Sequence, residues 1–384
     1  MHWGLILTGA GGVGLIGFAL RDAFEAVIVP RRLNGRFRFS RLYFRGFWPV
    51  WRGVAGRLRD ARRRETTLSQ FGPASMLLLF ALWGVMLVVG FALLYWSLGW
   101  PQPALMGAGA SPLELGRMWS DLYLSGALLV TFGADAGVPH TALSRMLAIG
   151  EGGLGLAFVA MIISYLPVLY TAFAQREVSI AMLDARAGSP PSASELLRRH
   201  GGDTGRLERY LAEWERWAAQ LLESHVSYPA LAYFRSQHVN QSWLSALTTV
   251  LDACALLLAT SEEVCIRQAE LTFAIARHAV VDLAQGFIRE LPRAMPDRLP
   301  AAELAALQAQ LAAAGWRLRQ DAASAAELAR LRRMYEPHVW GMARHLRLEP
   351  ARWLGHPETP DNWQRSPWER PATRWRGGTG ERHF

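Results

Sequence analysis

The chain has 384 residues, 51% of them hydrophobic and 19% charged, with a formal net charge of +9. No Asp, Glu, Arg or Lys lies between Glu65 and Glu114, and Glu151 is the only one between Arg145 and Arg176; a wholly soluble, collagenous or wholly disordered chain is excluded. Two cysteines, Cys254 and Cys265, cannot make a disulfide framework.

A bilayer core about 30 Å thick takes roughly 20 apolar residues of helix. Residues 3–20 form a first candidate span, extendable to 29 if Arg21, Asp22 and Glu25 sit near the interface, where Arg21 and Glu25 can pair four apart. Its Arg residues follow the apolar run, so it reads as a retained anchor rather than a cleaved signal peptide. Gly9, Gly11 and Gly14 formally fit a dinucleotide fingerprint, but inside a span they read as small-residue packing.

Residues 31–64 carry 12 Arg and one acid, Asp60, whereas 99–144 carry one Arg, Arg117. The positive-inside rule makes 31–64 cytoplasmic and the N-terminus external. Interleaved with Phe37, Phe39, Tyr43, Phe44, Phe47, Trp48 and Trp51, this basic stretch predicts an amphipathic helix over 36–64 on anionic lipid. Nucleic acid is not expected there, and all 41 basic residues of the chain are Arg, a trait of codon usage.

A second span runs over 71–100, with Trp96 and Trp100 as interfacial anchors, and a third over 146–173. Between them, 119–130 is amphipathic and too short to cross, and a loop of small residues follows it. A half-length helix, a loop and a return describe a re-entrant segment, and such backbone is tolerated only where protein or a water-filled path surrounds it. Loop carbonyls facing inward can replace the hydration shell of a cation.

Beyond the third span, Gly188 to Ser192 reads as a linker. Helices are expected over 206–225, with Leu207, Tyr210, Leu211, Trp214, Trp217, Ala218 and Leu221 on one face, and over 243–260 as a buried core helix. Others are expected from an N-cap at Ser261 to Leu291, over 301–320 and over 324–347. The last 35 residues lack periodicity and predict a disordered tail.

Tyr123-Leu124-Ser125-Gly126, Thr131-Phe132-Gly133, Val138-Pro139 and Leu143-Ser144-Arg145-Met146-Leu147-Ala148 together resemble the pore of two-transmembrane potassium channels. The family form is Y-F-S-x-x-T-x-x-T-x-G-Y-G-D-x-x-P followed by G-R-L-L-A. The resemblance covers about 72–173, and 131–139 aligns without a gap. Ile163 to Val168, with Pro167, resembles the kinked half of an inner helix. The extra N-terminal span and helical tail are similar to bacterial members of this ion-channel family.

The resemblance implies an all-α membrane protein. Its parts would be an N-terminal span (1–29), a basic cytoplasmic segment (30–70), a pore domain with outer helix, pore helix, filter and inner helix (71–173), a linker (174–194), a helical cytoplasmic regulatory domain (195–347) and a disordered tail (348–384). It implies a homotetrameric cation channel in a prokaryotic inner membrane, with a cytoplasmic C-terminus. Thr131, Phe132, Gly133, Ala134 and Asp135 would be its filter.

The filter departs from the family at Ala134, where the aromatic stands, and at Asp135, where the second glycine stands. Glycine takes positive φ without steric cost, so weakened K⁺ selectivity is expected. A ring of four Asp135 side chains would favour cations and can hold Ca²⁺. The alternative is a decayed pore on a membrane-anchored scaffold.

Glu151, in the third span, is either a brace for the filter or a proton sensor. Gly155 is either a hinge or a site of close helix packing, and Pro167 either a gate element or a passive kink. His140 is either titratable beside the filter or a solvated loop residue. No motif for catalysis, zinc or another cofactor occurs, and no enzyme activity is expected.

Overall fold

The computed structural model describes residues 2–27, 39–99, 114–130, 141–236, 240–261 and 266–355. Among the described residues the chain is all-helical. Four helices are long and apolar enough to cross a membrane, at Trp3–Val27, Ala61–Leu98, Ala142–Ala187 and Trp243–Thr260, a pattern compatible with a membrane protein. The chain divides into two compact units. The first comprises Met1–Phe173 and Val226–Phe234, the second Ala174–His225 and Arg235–Phe384.

The first unit is built on α1 (His2–Val27), α2 (Phe39–Gly56), α3 (Ala61–Leu98), α4 (Glu114–Leu129) and the first part of α5 (Ala142–Ala187). Small residues let α1 and α3 approach closely: a Cβ at Gly12 would stand 2.6 Å from the Gly90 carbonyl oxygen, and one at Gly90 2.6 Å from Ile16. Arg21 pairs with Glu25 at 2.9 Å, as the spacing predicts. Asp22 is instead buried. It accepts from Trp83 Nε1 at 2.9 Å and from the Ser40 backbone N–H at 3.2 Å, joining α1, α2 and α3.

The basic amphipathic helix expected over 36–64 is shorter and differently engaged. α2 ends at Gly56, and Asp60 caps α3 by accepting from the Arg62 N–H. Tyr43 OH donates to Ser75 O at 2.9 Å and Trp51 Nε1 to Thr67 O at 2.8 Å. Eight residues separate each pair of anchors, so α2 runs antiparallel along the start of α3. Part of its aromatic face packs on protein: Trp48, Phe47 and Tyr233 surround the buried Phe71 at ring distances of 4.7, 5.5 and 5.1 Å. α3 therefore begins ten residues before the expected outer span. Its end is set by Gly99 at φ +67°, a conformation that favours glycine.

The second unit holds the rest of α5, α6 (Ala193–His200), α7 (Thr204–Ser227), α8 (Trp243–Thr260), α9 (Ile266–Phe287), α10 (Ala301–Ala313), α11 (Ala322–Arg333) and α12 (Glu336–Leu346). All seven apolar residues expected on one face of α7 are buried, each contributing roughly 1.5–3 kcal/mol if fully transferred from water. α8, apolar enough to span, is buried on every residue but Leu258, as befits a core helix. Its Asp252 pairs with Arg298 and accepts from Tyr335 OH at 2.6 Å. Arg298 also reaches Glu336 at 3.1 Å.

Several expectations for this region are corrected. Of 174–194, read as a linker, 174–187 continue α5. Ser189 and Ser192 are buried, the Pro191 carbonyl accepts from Thr249 Oγ1 at 3.2 Å, and Ser192 caps α6. Ser261 closes α8, donating its N–H to Leu257 O; 262–265, which the expected N-cap at Ser261 would serve, lie outside the described residues. The next helix, α9, is described from Ile266 and ends at Phe287, short of Leu291.

The helix expected over 301–320 stops at Ala313, where Gly315 takes φ +91° and lets Trp316 Nε1 reach Leu197 O at 2.9 Å. The one expected over 324–347 is two helices. Pro337 has no N–H, and its ring would clash with the Arg333 carbonyl, so the helix breaks before it. Within the tail expected from 348, Ala351 and Trp353 are buried; 356–384 lie outside the described residues.

Candidate functional site

The segment that carries the pore resemblance lies on α3, α4 and α5 of the first unit. α4 spans 16 residues, Glu114–Leu129, about 24 Å at 1.5 Å per residue and short of a bilayer core. Thr131, Phe132, Gly133, Ala134 and Asp135, with Pro139 and His140, lie outside the described residues. Tyr123 to Gly126 fall on α4, while Leu143 to Ala148, Glu151, Gly155 and Pro167 fall on α5.

Glu151 is fully buried and tied to both neighbouring helices. Ser125 Oγ on α4 donates to Glu151 Oε1 at 2.5 Å, and Tyr95 OH on α3 donates to Oε2 at 2.5 Å. Ser125 Oγ also lies 3.0 Å from Val88 O on α3. A carboxylate buried among apolar side chains is costly unless hydrogen-bonded; here two hydroxyls supply the bonds. Leu124, Phe91 and Tyr95, flanked by Leu94, Leu128, Leu147 and Leu154, close around the site. A contact from Glu151 to the 119–130 segment, here Ser125 on α4, was anticipated. Tyr95 was not anticipated: beside Trp96 it reads as part of an interfacial aromatic pair, and only its isolated hydroxyl within a charge-free run hinted at a polar partner.

The four crowded glycines of α5 divide into two pairs. A Cβ at Gly155 would stand 1.8 Å from Leu129 O, and one at Gly152 3.7 Å from Leu128 O, so these two face the end of α4. Gly150 and Gly153 are exposed, with open space around them. At Gly155 the close-packing role is thus present in the geometry: the α4 C-terminus rests on the bare α5 backbone. The other end of the site is held by Arg117, which donates to Trp96 O at 2.9 Å with its guanidinium 4.8 Å from the Trp96 ring centre.

Pro167 sits inside α5 and is exposed. Thr171 Oγ1 donates to its carbonyl at 2.8 Å. Cys254 is buried in α8, and burial raises its thiol pKa, which makes it inert; Cys265 lies outside the described residues. Among the described residues no cluster of three His, Cys, Asp or Glu side chains is placed to hold a metal ion. No family model matches the chain, and neither a curated protein nor a solved structure matches it.

Proposed function

We propose that this protein is a tetrameric cation channel in a prokaryotic inner membrane, with α3 as outer helix, α4 as re-entrant pore helix, the loop 131–135 as filter and α5 as inner helix. The observation that carries the reading is the Glu151 brace. A helix too short to cross is locked by a buried carboxylate to two helices that are long enough, at the point where it hands over to the 131–135 loop. Loop carbonyls beside a water-filled path can replace the hydration shell of an ion. One chain supplies one such loop, so a ring of four is required.

In this reading Glu151 supports the filter, Gly155 and Pro167 govern inner-helix movement, and α6–α12 form a cytoplasmic regulatory domain. The Arg residues of 31–64 face anionic lipid. The permeant ion is K⁺, or monovalent cations with weakened selectivity, because Ala134 and Asp135 replace the aromatic and the glycine of the family filter. Ca²⁺ binds at an Asp135 ring. No catalysis is assigned.

The same two residues favour a second reading, a membrane-anchored scaffold with a silent pore. Cation uptake into proteoliposomes separates the two. The channel reading expects K⁺-driven flux that falls at least tenfold in Asp135→Arg, whose four positive charges would repel cations. Absence of flux in the native protein, with flux gained in the Ala134→Tyr, Asp135→Gly double variant, supports the scaffold.

A further inference from the structure

Residues 226–234 belong to the first unit, although the chain on both sides of them belongs to the second. Val226 and Ser227 end α7, and Pro229–Tyr233 form a 3-10 turn, closed by Leu231 N–H to Tyr228 O at 2.9 Å and Phe234 N–H to Leu231 O at 3.0 Å. Ala230, Leu231 and Tyr233 are buried. So short a turn has little stability of its own, and its position is fixed by what it touches.

It touches three helices. Tyr228 packs edge-on to Tyr165 of α5 at 5.6 Å, and Phe234 packs on Phe173 of α5 at 5.7 Å. Tyr233 stacks on Phe44 of α2 at 5.6 Å and meets Phe71 of α3 at 5.1 Å. Phe234 also lies against Gly72 of α3, where a Cβ would stand 2.7 Å from its ring. Tyr165 in turn meets Phe80 of α3 at 6.0 Å. The two α5 contacts bracket Pro167, where the α5 backbone lacks one N–H donor. The weakest stretch of α5 is thus gripped on both sides by one nine-residue segment whose far anchors are on α2 and α3.

We infer that residues 226–234 are a strap that clamps α5 from Tyr165 to Phe173 onto α2 and α3, so that releasing the strap frees α5 around Pro167. Because both ends of the strap continue into the second unit, a rearrangement there that draws on the chain reaches α5 through it. The consequence for conduction rests on the pore reading above; the clamp itself does not.

The test uses the full-length protein in lipid nanodiscs and reads amide hydrogen exchange by segment. Phe234→Ala deletes the ring that joins α3 to α5. Gly72→Ala keeps every ring but drives a methyl into the Phe234 site, so the two variants release the strap by different means. Both are expected to raise exchange at least tenfold in 226–234 and also in 165–173, with 142–155 unchanged. Faster exchange confined to 226–234 overturns the clamp, as does unchanged protection in both segments. Cation flux from the same preparations is expected to change at least threefold. Freed 165–173 with no flux in any protein, native included, counts against the pore and leaves the clamp standing.

Discussion

The Glu151 brace is the residue-scale feature on which the site depends. Glu151→Ala removes the acceptor that Tyr95 OH meets on α5, while Ser125 Oγ can turn to Val88 O; loss of a buried acceptor costs about 1–3 kcal/mol, and the variant should lose that much. Tyr95→Phe removes one buried hydrogen bond and should lose about 0.5–1.5 kcal/mol. Thermal unfolding in detergent checks both, and a midpoint unchanged in Glu151→Ala would remove the brace from the account.

The glycines give predictions of opposite sign. Gly155→Ala places a methyl 1.8 Å from a backbone oxygen that cannot swing away, so α4 must shift and stability falls by several kcal/mol. Gly153→Ala meets open space and should stabilise by up to about 1 kcal/mol, since alanine is the better helix former. Destabilisation by both would point to a need for helix bending rather than close packing.

His225 supplies a pH dependence in the second unit. Its Nε2 lies 3.3 Å from Arg176 Nη1, and its Nδ1 2.9 Å from Leu221 O. Arg can only donate, so Nε2 accepts and Nδ1 carries the proton. Burial first, and the Arg176 charge second, hold its pKa well below 6.5. Below pH 6.5 the unfolded chain takes up a proton that the folded chain refuses, so stability falls as pH drops, by up to about 1.4 kcal/mol per pH unit. His225→Gln should flatten that slope in thermal midpoints measured from pH 7.5 to 5; parallel slopes would contradict the assignment.

At the scale of elements, the second unit turns on the apolar helix α8 and its one buried acid. Asp252 is fully enclosed, with Arg298 and Tyr335 as partners and Glu336 extending the network to Arg332 at 3.0 Å. Removing one partner of a buried ion pair strands the other, at about 3–5 kcal/mol. Arg298→Ala should lose that much in thermal unfolding, while the Asp252→Asn, Arg298→Met double variant should recover part of it. No recovery would mean that the two sites act independently.

Element by element, what the sequence could reveal followed from periodicity and hydropathy. The face of α7 was legible because its apolar residues recur at helical spacing. The long apolar helices were legible because charge is nearly absent from them. Breaks that depend on one residue were not: Gly315 and Pro337 cut helices that an unbroken apolar pattern runs through. α2 was legible only in part. Aromatic and basic residues on one helix fit a lipid surface as well as a protein one, and the packing of its aromatics depends on Phe71 and Tyr233, distant in sequence. Within the site, Glu151 stood out as a lone charge, whereas its partner Tyr95 was hidden among interfacial aromatics.

At the scale of the whole molecule, one unit braces a short helix between two long apolar ones, and the other is organised around α8. The function proposed for the pair is regulated cation passage, and its central claim is that the chain forms a cation-selective pore. The most direct measurement is the reversal potential of the purified full-length protein in a planar bilayer, first under a KCl gradient and then with KCl opposed to NaCl. A cation-selective pore reverses close to the cation equilibrium potential in the first condition. In the second, reversal is expected between zero and the K⁺ equilibrium value, shifted towards K⁺ when Ala134→Tyr and Asp135→Gly are introduced together. Reversal near the Cl⁻ potential, or the absence of any current from native protein and double variant alike, would contradict that claim.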